Sequence, residues 1–278
     1  MTRKFQIFYI ITGLILFMTL PVQAAWETGV KAGYDSNVNR TIDNAVSDTS
    51  LGAYLQYIRE ATGETRFDWP FAAALEGNAF LRNSSLSNAF ITIAPGVIYF
   101  PYRSWSFNLS PFLQGKVVSV KDQSALAFGA KIHLRQPLGK YFYLSEYYSF
   151  TSSRAQMDVY SFTEHALGAV AGVNWTHIFF TEIGYEFSRG DSFRTFSTTT
   201  TTSTTPSGKG SGKQHGYSST FSTEVYKDQI GRHTIGLTTG VELYRSVLAS
   251  VSYNYSIMTG DLGTSSNHMA VVSISYRF

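Results

Sequence analysis

The chain has 278 residues, enough for one large domain or two small ones. It has no Cys, which excludes a disulfide framework and thiolate metal ligation. Its formal charge is +3, or +1 without the two charges of Arg3 and Lys4, and this gives no footing for a nucleic-acid partner.

What is unusual is the kind of apolar residue. The hydrophobic fraction is an ordinary 44%, but 21 Phe, 18 Tyr and 4 Trp make 15% of the chain aromatic. Aromatic residues fit a pleated sheet better than a helix. Charged residues make up 15%, below the roughly 25% of soluble domains.

Residues 1–24 read as a signal peptide. Arg3 and Lys4 precede an apolar run from Phe5 to Leu20, and the small-residue end Val22-Gln23-Ala24 predicts cleavage after Ala24. The apolar run is short for a bilayer-spanning helix, which needs about 20 residues. Residues 25–278 then form a single domain with no linker or change of periodicity.

From Trp26 onward the dominant period is two. Trp26, Thr28, Val30, Ala32 and Tyr34 alternate with Glu27, Gly29, Lys31 and Gly33. The same pattern recurs over Phe67–Leu75, Leu126–Leu134, Val247–Ile257 and Val272–Phe278. Each segment therefore has one apolar and one polar or small face. Strands are expected at 26–34, 50–60, 67–79, 89–100, 104–117, 124–134, 140–150, 159–174, 178–188, 192–203, 216–226, 232–244, 247–258 and 268–278. Many are long enough to cross a membrane at a tilt, about 9–11 residues. Unpaired backbone groups are not tolerated in hydrocarbon, so such strands are viable only in a closed ring.

The expected fold is all-β: one antiparallel transmembrane barrel of about fourteen strands, with twelve as the second count. The choice turns on 192–203, a Thr/Ser run with no apolar face. Short turns near 62–66, 101–103, 136–139, 176–177 and 244–246 fall at one end. Longer polar loops at 35–49, 80–88, 151–158 and 259–267 fall at the other. Aromatics at strand ends, among them Trp26, Tyr34, Trp105, Trp175 and Phe278, suit the two interfaces.

The ending Val272-Ser-Ile-Ser-Tyr-Arg-Phe278 resembles the carboxy-terminal strand recognised by the outer-membrane barrel assembly machinery, with Tyr276 and Phe278 as its signal. The chain as a whole resembles Gram-negative outer-membrane barrels of the porin kind. Val30-Lys-Ala-Gly-Tyr-Asp-Ser-Asn-Val-Asn39 is similar to the segment that opens the barrels of surface lipoprotein assembly modifiers and polysaccharide-export porins. In those families a helical-repeat periplasmic domain usually comes first, whereas here the barrel opens almost at the expected cleavage site. The resemblance implies export through the periplasm to the outer membrane, with lipid, lipopolysaccharide and the assembly machinery as partners. A periplasmic export partner is a further possibility that it raises.

If the apolar faces meet lipid, the lumen is lined by Lys31, Asp68, Glu76, Lys116, Lys131, Glu146, Glu164, Glu182, Glu186, Glu224 and Glu242, with Glu27, Glu60, Arg135 and Arg277 in the same phase. Ten of these fifteen are acidic and five basic, which predicts a channel for ions or small polar solutes with mild cation preference. Tyr54, Phe112 and Tyr148 are expected to narrow it. Residues 189–215 are expected to fold in as a gate, with Lys209, Lys213 and His215 meeting lumenal carboxylates. Two other readings stand beside the channel: a barrel component of a surface-protein or polysaccharide export system, and a lipid-modifying hydrolase using Ser161 with His165 or Ser266 with His268. The chain has no Gly-x-Ser-x-Gly elbow, His-Glu-x-x-His pair or phosphate-binding loop, so no enzymatic activity, metal or cofactor is expected.

Overall fold

The structure, a computed structural model, describes residues 24–102, 104–196, 215–218, 220–244 and 246–278. Its strands are β1 (Ala24–Asp35), β2 (Asp48–Arg59), β3 (Phe67–Asp68), β4 (Phe71–Phe80), β5 (Asn88–Pro95), β6 (Val97–Tyr102), β7 (Trp105–Val118) and β8 (Ala125–Leu138). They continue with β9 (Phe142–Ala155), β10 (Phe162–Asn174), β11 (Phe179–Phe196), β12 (His215–Ser218), β13 (Thr223–Tyr244), β14 (Val247–Gly260) and β15 (Gly263–Arg277).

β3 and β4 form one wall strand interrupted at Pro70, and β5 and β6 form the next, interrupted at Gly96. Proline has no N–H for the ladder. The Gly96 N–H donates to the Pro70 carbonyl at 2.8 Å, so the two interruptions lie side by side. β12 lies off the ring against β13. The wall has twelve strands, and β1 pairs with both β2 and β15, so the sheet closes on itself. At the seam the Trp26 and Phe278 main chains exchange hydrogen bonds of 3.0 and 2.8 Å. A closed ring leaves no open sheet edge for hydrocarbon to penalise.

Twelve is the second of the two expected counts, and the difference arises in one region. The segments 178–188 and 192–203 belong to one strand, β11, as far as Phe196, and 197–203 lie outside the described residues. Segment 232–244 and the end of 216–226, from Thr223 on, belong to the 22-residue β13, while 216–218 lie in β12. Arg189-Gly190-Asp191 does not break the ladder, because Gly190 stays paired with Glu164 on one side and Ile230 on the other.

Cross-strand register fixes the two faces. Val30, Leu51, Leu75, Ile91, Leu113, Leu126, Leu167, Ile183, Ile235 and Val272 are exposed on the outside. Burying these on lipid contributes about 25 cal/mol per Å². The turns at 60–66, 139–141 and 175–178 are short and share an end with the seam, which in barrels of this kind is periplasmic. Residues 36–47, 81–87, 119–124 and 156–161 form the loops of the other, extracellular end.

The extracellular parts of β11 and β13, with β12, form an arm that turns across the mouth. Arg194 and Asp228 have no exposed side-chain surface and lie 3.9 Å apart. Arg194 also donates to Ser265 Oγ at 2.8 Å and to the Met258 carbonyl at 3.1 Å, tying the arm to the β14–β15 turn. Thr41 of loop 36–47 donates to the Thr195 carbonyl at 2.9 Å, and Thr195 Oγ1 returns a 2.7 Å bond to Asn39. Val159, Tyr160 and Val225 make a small apolar core beneath, with Phe193 edge-on to Tyr160. Beyond β12, Ser85 Oγ meets Thr220 Oγ1 at 3.0 Å. Ser85 lies between β4 and β5, on the opposite side of the ring from β11 and β13. The arm therefore spans the opening from wall to wall.

Candidate functional site

The lumen is organised around four consecutive wall strands, β8 to β11, each carrying an inward pair four residues apart. β8 carries Lys131 and Arg135, β9 carries Tyr143 and Tyr147, β10 carries Gly168 and Gly172, and β11 carries Glu182 and Glu186. Residues four apart in a strand share a face. Register places Tyr147, Gly168 and Glu186 in one row and Tyr143, Gly172 and Glu182 in the next.

The glycines make the rows work. Each tyrosine ring lies over the glycine beside it, where an added Cβ would overlap the ring. With no side chain between, the Tyr147 hydroxyl crosses a whole strand to donate to Glu186 at 2.6 Å, and Tyr143 donates to Glu182 in the same way. The other face of each ring meets a cation, Lys131 Nζ at 4.3 Å from the Tyr147 centroid and Arg135 at 4.3 Å from that of Tyr143. Such stacking is worth about 0.5–1 kcal/mol where exposed. The result is two parallel rungs running from base through phenol to carboxylate, so the wall changes sign over four strands.

Beside the acidic end lies a depression of about 270 Å³ lined by Tyr147, Glu182, Glu186, Thr234, Thr238 and Asn254. Two carboxylates, hydroxyls and an amide can replace the hydration of a small cationic or hydroxylated solute.

The remaining expected residues fall into three groups. Lys31 on β1 crosses Gly52 to pair with Glu76 at 2.7 Å, and Asn78 donates to the same carboxylate. Lys116 faces the lumen above the Phe90 ring, and Glu164 pairs with Arg232. Glu242 is in the lumenal phase at the periplasmic end of β13, while Glu60 pairs with Arg277 at that rim.

Three residues are not in the lumen. Glu146 pairs across to Leu134 and Ala169 on the outer face and accepts from Gln136 at 2.9 Å. Its phase is fixed by Tyr143 and Tyr147 turning inward, and the same register puts Tyr148 outside, whereas Tyr54 and Phe112 do face inward. Glu224 is exposed on the arm with Tyr226 as partner. Asp68 is consumed by the periplasmic turn, accepting from the Thr62 and Trp69 N–H groups. Burial pushes its carboxyl up, but those bonds outweigh it and hold it below the ordinary 3.8.

At the mouth, Arg40 was not foreseen. It donates to Ser192 Oγ at 2.9 Å and lies 4.8 Å over the Phe193 ring. Burial, then the Arg232 charge, pull its guanidinium down to about 10, against the attraction of Asp35 and Glu164. The expected gate residues Lys209 and Lys213 lie outside the described residues.

The Ser–His pairs are otherwise engaged. Ser161 Oγ accepts from the Ala155 N–H, while His165 Nδ1 lies 2.7 Å from Tyr148 Oη and His268 Nδ1 2.7 Å from Tyr253 Oη. Among the described residues no group of three His, Asp or Glu is placed to hold a metal ion.

The closed ring, apolar outside and charged inside, can be compared with known proteins. An outer-membrane channel from Pseudomonas putida F1 superposes with a TM-score of 0.62 at 9% identity, over 94% of this chain and 97% of that one. The fold the two share is the closed antiparallel β-barrel. The NanC porin superposes with a TM-score of 0.51 at 9% identity, over 90% of this chain and 98% of that one. No family model and no curated protein matches the sequence. At these identities it is the barrel architecture that is shared.

Proposed function

We propose that this outer-membrane barrel is a channel for ions and small polar solutes, with the rungs of β8–β11 as its selective element. The observation that carries this is the reversal of charge along Lys131–Tyr147–Glu186 and Arg135–Tyr143–Glu182. Fixed opposite charges on neighbouring parts of a lumen orient a dipolar solute and discriminate by sign. The acidic excess is smaller than the sequence reading gave, since Glu146, Glu224 and Asp68 leave the lumen and Arg232 enters it. A mild cation preference then rests on Glu182 and Glu186, which border the depression. Residues 1–24 are the export signal in this reading, and Tyr276 and Phe278, exposed on the outer face of the closing strand, are the assembly signal.

Single-channel recording in a salt gradient tests it. The wild type should show cation preference, E182Q/E186Q should move the reversal potential toward anions, and K131Q/R135Q should move it the other way. Identical reversal potentials in all three would overturn the assignment.

The arm spanning the mouth favours a second reading, a collar for a surface-protein or polysaccharide export system that passes cargo only with a periplasmic partner. Absence of conductance in a heat-modifiable, folded sample would select it.

A further inference from the structure

Three outward-facing histidines repeat one arrangement. His165, His233 and His268 are each exposed, and each Nδ1 lies 2.7 Å from a tyrosine hydroxyl on the neighbouring strand, Tyr148, Tyr185 and Tyr253. The aromatic two residues beyond each tyrosine, Phe150, Phe187 or Tyr255, packs against the imidazole with centroids 5.1, 5.0 and 4.8 Å apart. When the phenol donates to Nδ1, the ring hydrogen sits on Nε2 and is an N–H donor for the surroundings.

All three stand at one height. Ten positions along its strand separate each histidine from an exposed apolar residue at the periplasmic border, Trp175, Leu243 and Phe278. Ten residues at about 3.3 Å, tilted by about 40°, span about 25 Å, the height of the apolar band of an outer-membrane barrel. The histidines therefore mark where hydrocarbon gives way to headgroups on the extracellular side.

At one of them there is a groove. About 470 Å³ opens between Thr163, His165, Arg189, Gly190, Asp191 and Gln229. His165 and Arg189 are direct cross-strand partners, both exposed on the outer face. Gly190 lies at the back of the groove, where an added Cβ would overlap the Thr163 carbonyl oxygen at 2.1 Å. The one carboxylate of the groove, Asp191, is answered by Lys227 at 3.7 Å, which leaves His165 and Arg189 facing outward.

We propose that this groove binds the phosphate of an outer-leaflet lipid headgroup, with the Arg189 guanidinium and His165 Nε2–H as donors and Gln229 and Thr163 beside them. Guanidinium matches phosphate oxygens in a bidentate fork. The site lies at the depth a headgroup occupies, and the lipid's acyl chains would run down the apolar strip Leu167, Ile183 and Phe187, all exposed. The inference rests on the barrel's place in a bilayer and is independent of whether the lumen conducts.

Native mass spectrometry of the detergent-purified barrel tests it, using a bisphosphorylated lipid A, the same lipid stripped of phosphate, and inorganic phosphate. The wild type should retain the phosphorylated lipid about tenfold more tightly than the stripped one. H165Q/R189Q should lose that difference while staying heat-modifiable, and H233Q, at a histidine outside this groove, should keep it. Equal retention of the two lipids, or an unchanged preference in H165Q/R189Q, would overturn the site. Competition by inorganic phosphate as strong as by the lipid would identify a free-anion site and overturn the headgroup assignment. Should H165Q/R189Q fail to fold, R189K, which keeps the charge but not the fork, replaces it and should weaken retention of the phosphorylated lipid alone.

Discussion

The lumenal wall of β8–β11 and the arm across the mouth use similar side chains in different ways. In the wall, Lys131, Tyr147 and Glu186 lie on strands whose pairing is set by the sheet, so each contact follows from register. In the arm, Arg194, Thr195 and Thr220 meet the β14–β15 turn, loop 36–47 and the loop carrying Ser85, which only the tertiary fold brings near. The wall is held by a continuous hydrogen-bonded ladder. The mouth is held by a few long-range polar contacts and a small apolar core, which makes it the low-stability end of the molecule.

The contrast is broken most severely at Arg194. R194L removes the partner of Asp228 and leaves a buried charge uncompensated, which costs about 3–5 kcal/mol. The loss should fall on the arm alone. Limited proteolysis within 215–230 should accelerate and open conductance should rise, while resistance to unfolding in cold detergent persists. Intact proteolysis and unchanged conductance would show that the arm is not held there.

A smaller effect is expected in the wall. G172A places a methyl group inside the Tyr143 ring and should cost about 1–3 kcal/mol through overpacking. It should lower the temperature of heat modification as Tyr143 leaves Glu182, while the reversal potential keeps its cationic sign because the carboxylate stays charged. G139A, in a turn where glycine has φ +88 and nothing lies near the added methyl, should disturb neither the lumen nor the reversal potential.

Acid should separate the two regions more gently. Asp48 accepts bonds from the Thr49, Arg82 and Asn83 N–H groups at 2.7–3.1 Å, fastening loop 81–87 at the mouth. Burial raises its carboxyl, but these bonds outweigh it and hold it below 3.8. A depressed carboxyl contributes stability that is fully present above its unfolded value and lost as pH falls through the folded one. The protection of amides in 81–87 relative to their intrinsic exchange rates should therefore hold down to about pH 4 and fall below it, whereas D48N should be weakly protected at every pH. Protection in 81–87 that is unchanged from pH 6 to pH 3 would remove Asp48 from the account.

The smallest change should come from E186Q alone. Glu182 retains half of the acidic end, so the reversal potential should move in the same direction as in E182Q/E186Q but by less.

The same contrast sets what could be read beforehand. Alternation exposes two faces because hydrocarbon punishes the wrong phase, so Lys31, Glu76, Lys116, Lys131, Glu164, Glu182 and Glu186 could be assigned inward from pattern alone. β9 could not, because residues 142–150 are aromatic on both faces, and Glu146 went to the wrong side with it. The signal was present at a longer period: pairs four apart at 131/135, 143/147, 168/172 and 182/186 in successive strands. At the mouth no periodicity applies. Arg40 reaches Ser192 and Phe193 through a loop that meets the arm only in the finished ring, Arg194 and Asp228 face each other only once β11 is known to pair with β13, and Arg189-Gly190-Asp191 resembles a turn unless both neighbouring strands are known.

The pairing of β1 with β15 has a consequence for biogenesis. Glu27 lies opposite Arg277, so the last ladder to form joins segments from opposite ends of the sequence. Every other neighbouring pair of wall strands can meet locally, but this one awaits the whole chain and bears the full entropy of a very long loop. Until then two bare strand edges remain adhesive, so the unfinished barrel is open to wrong pairing for as long as closure takes.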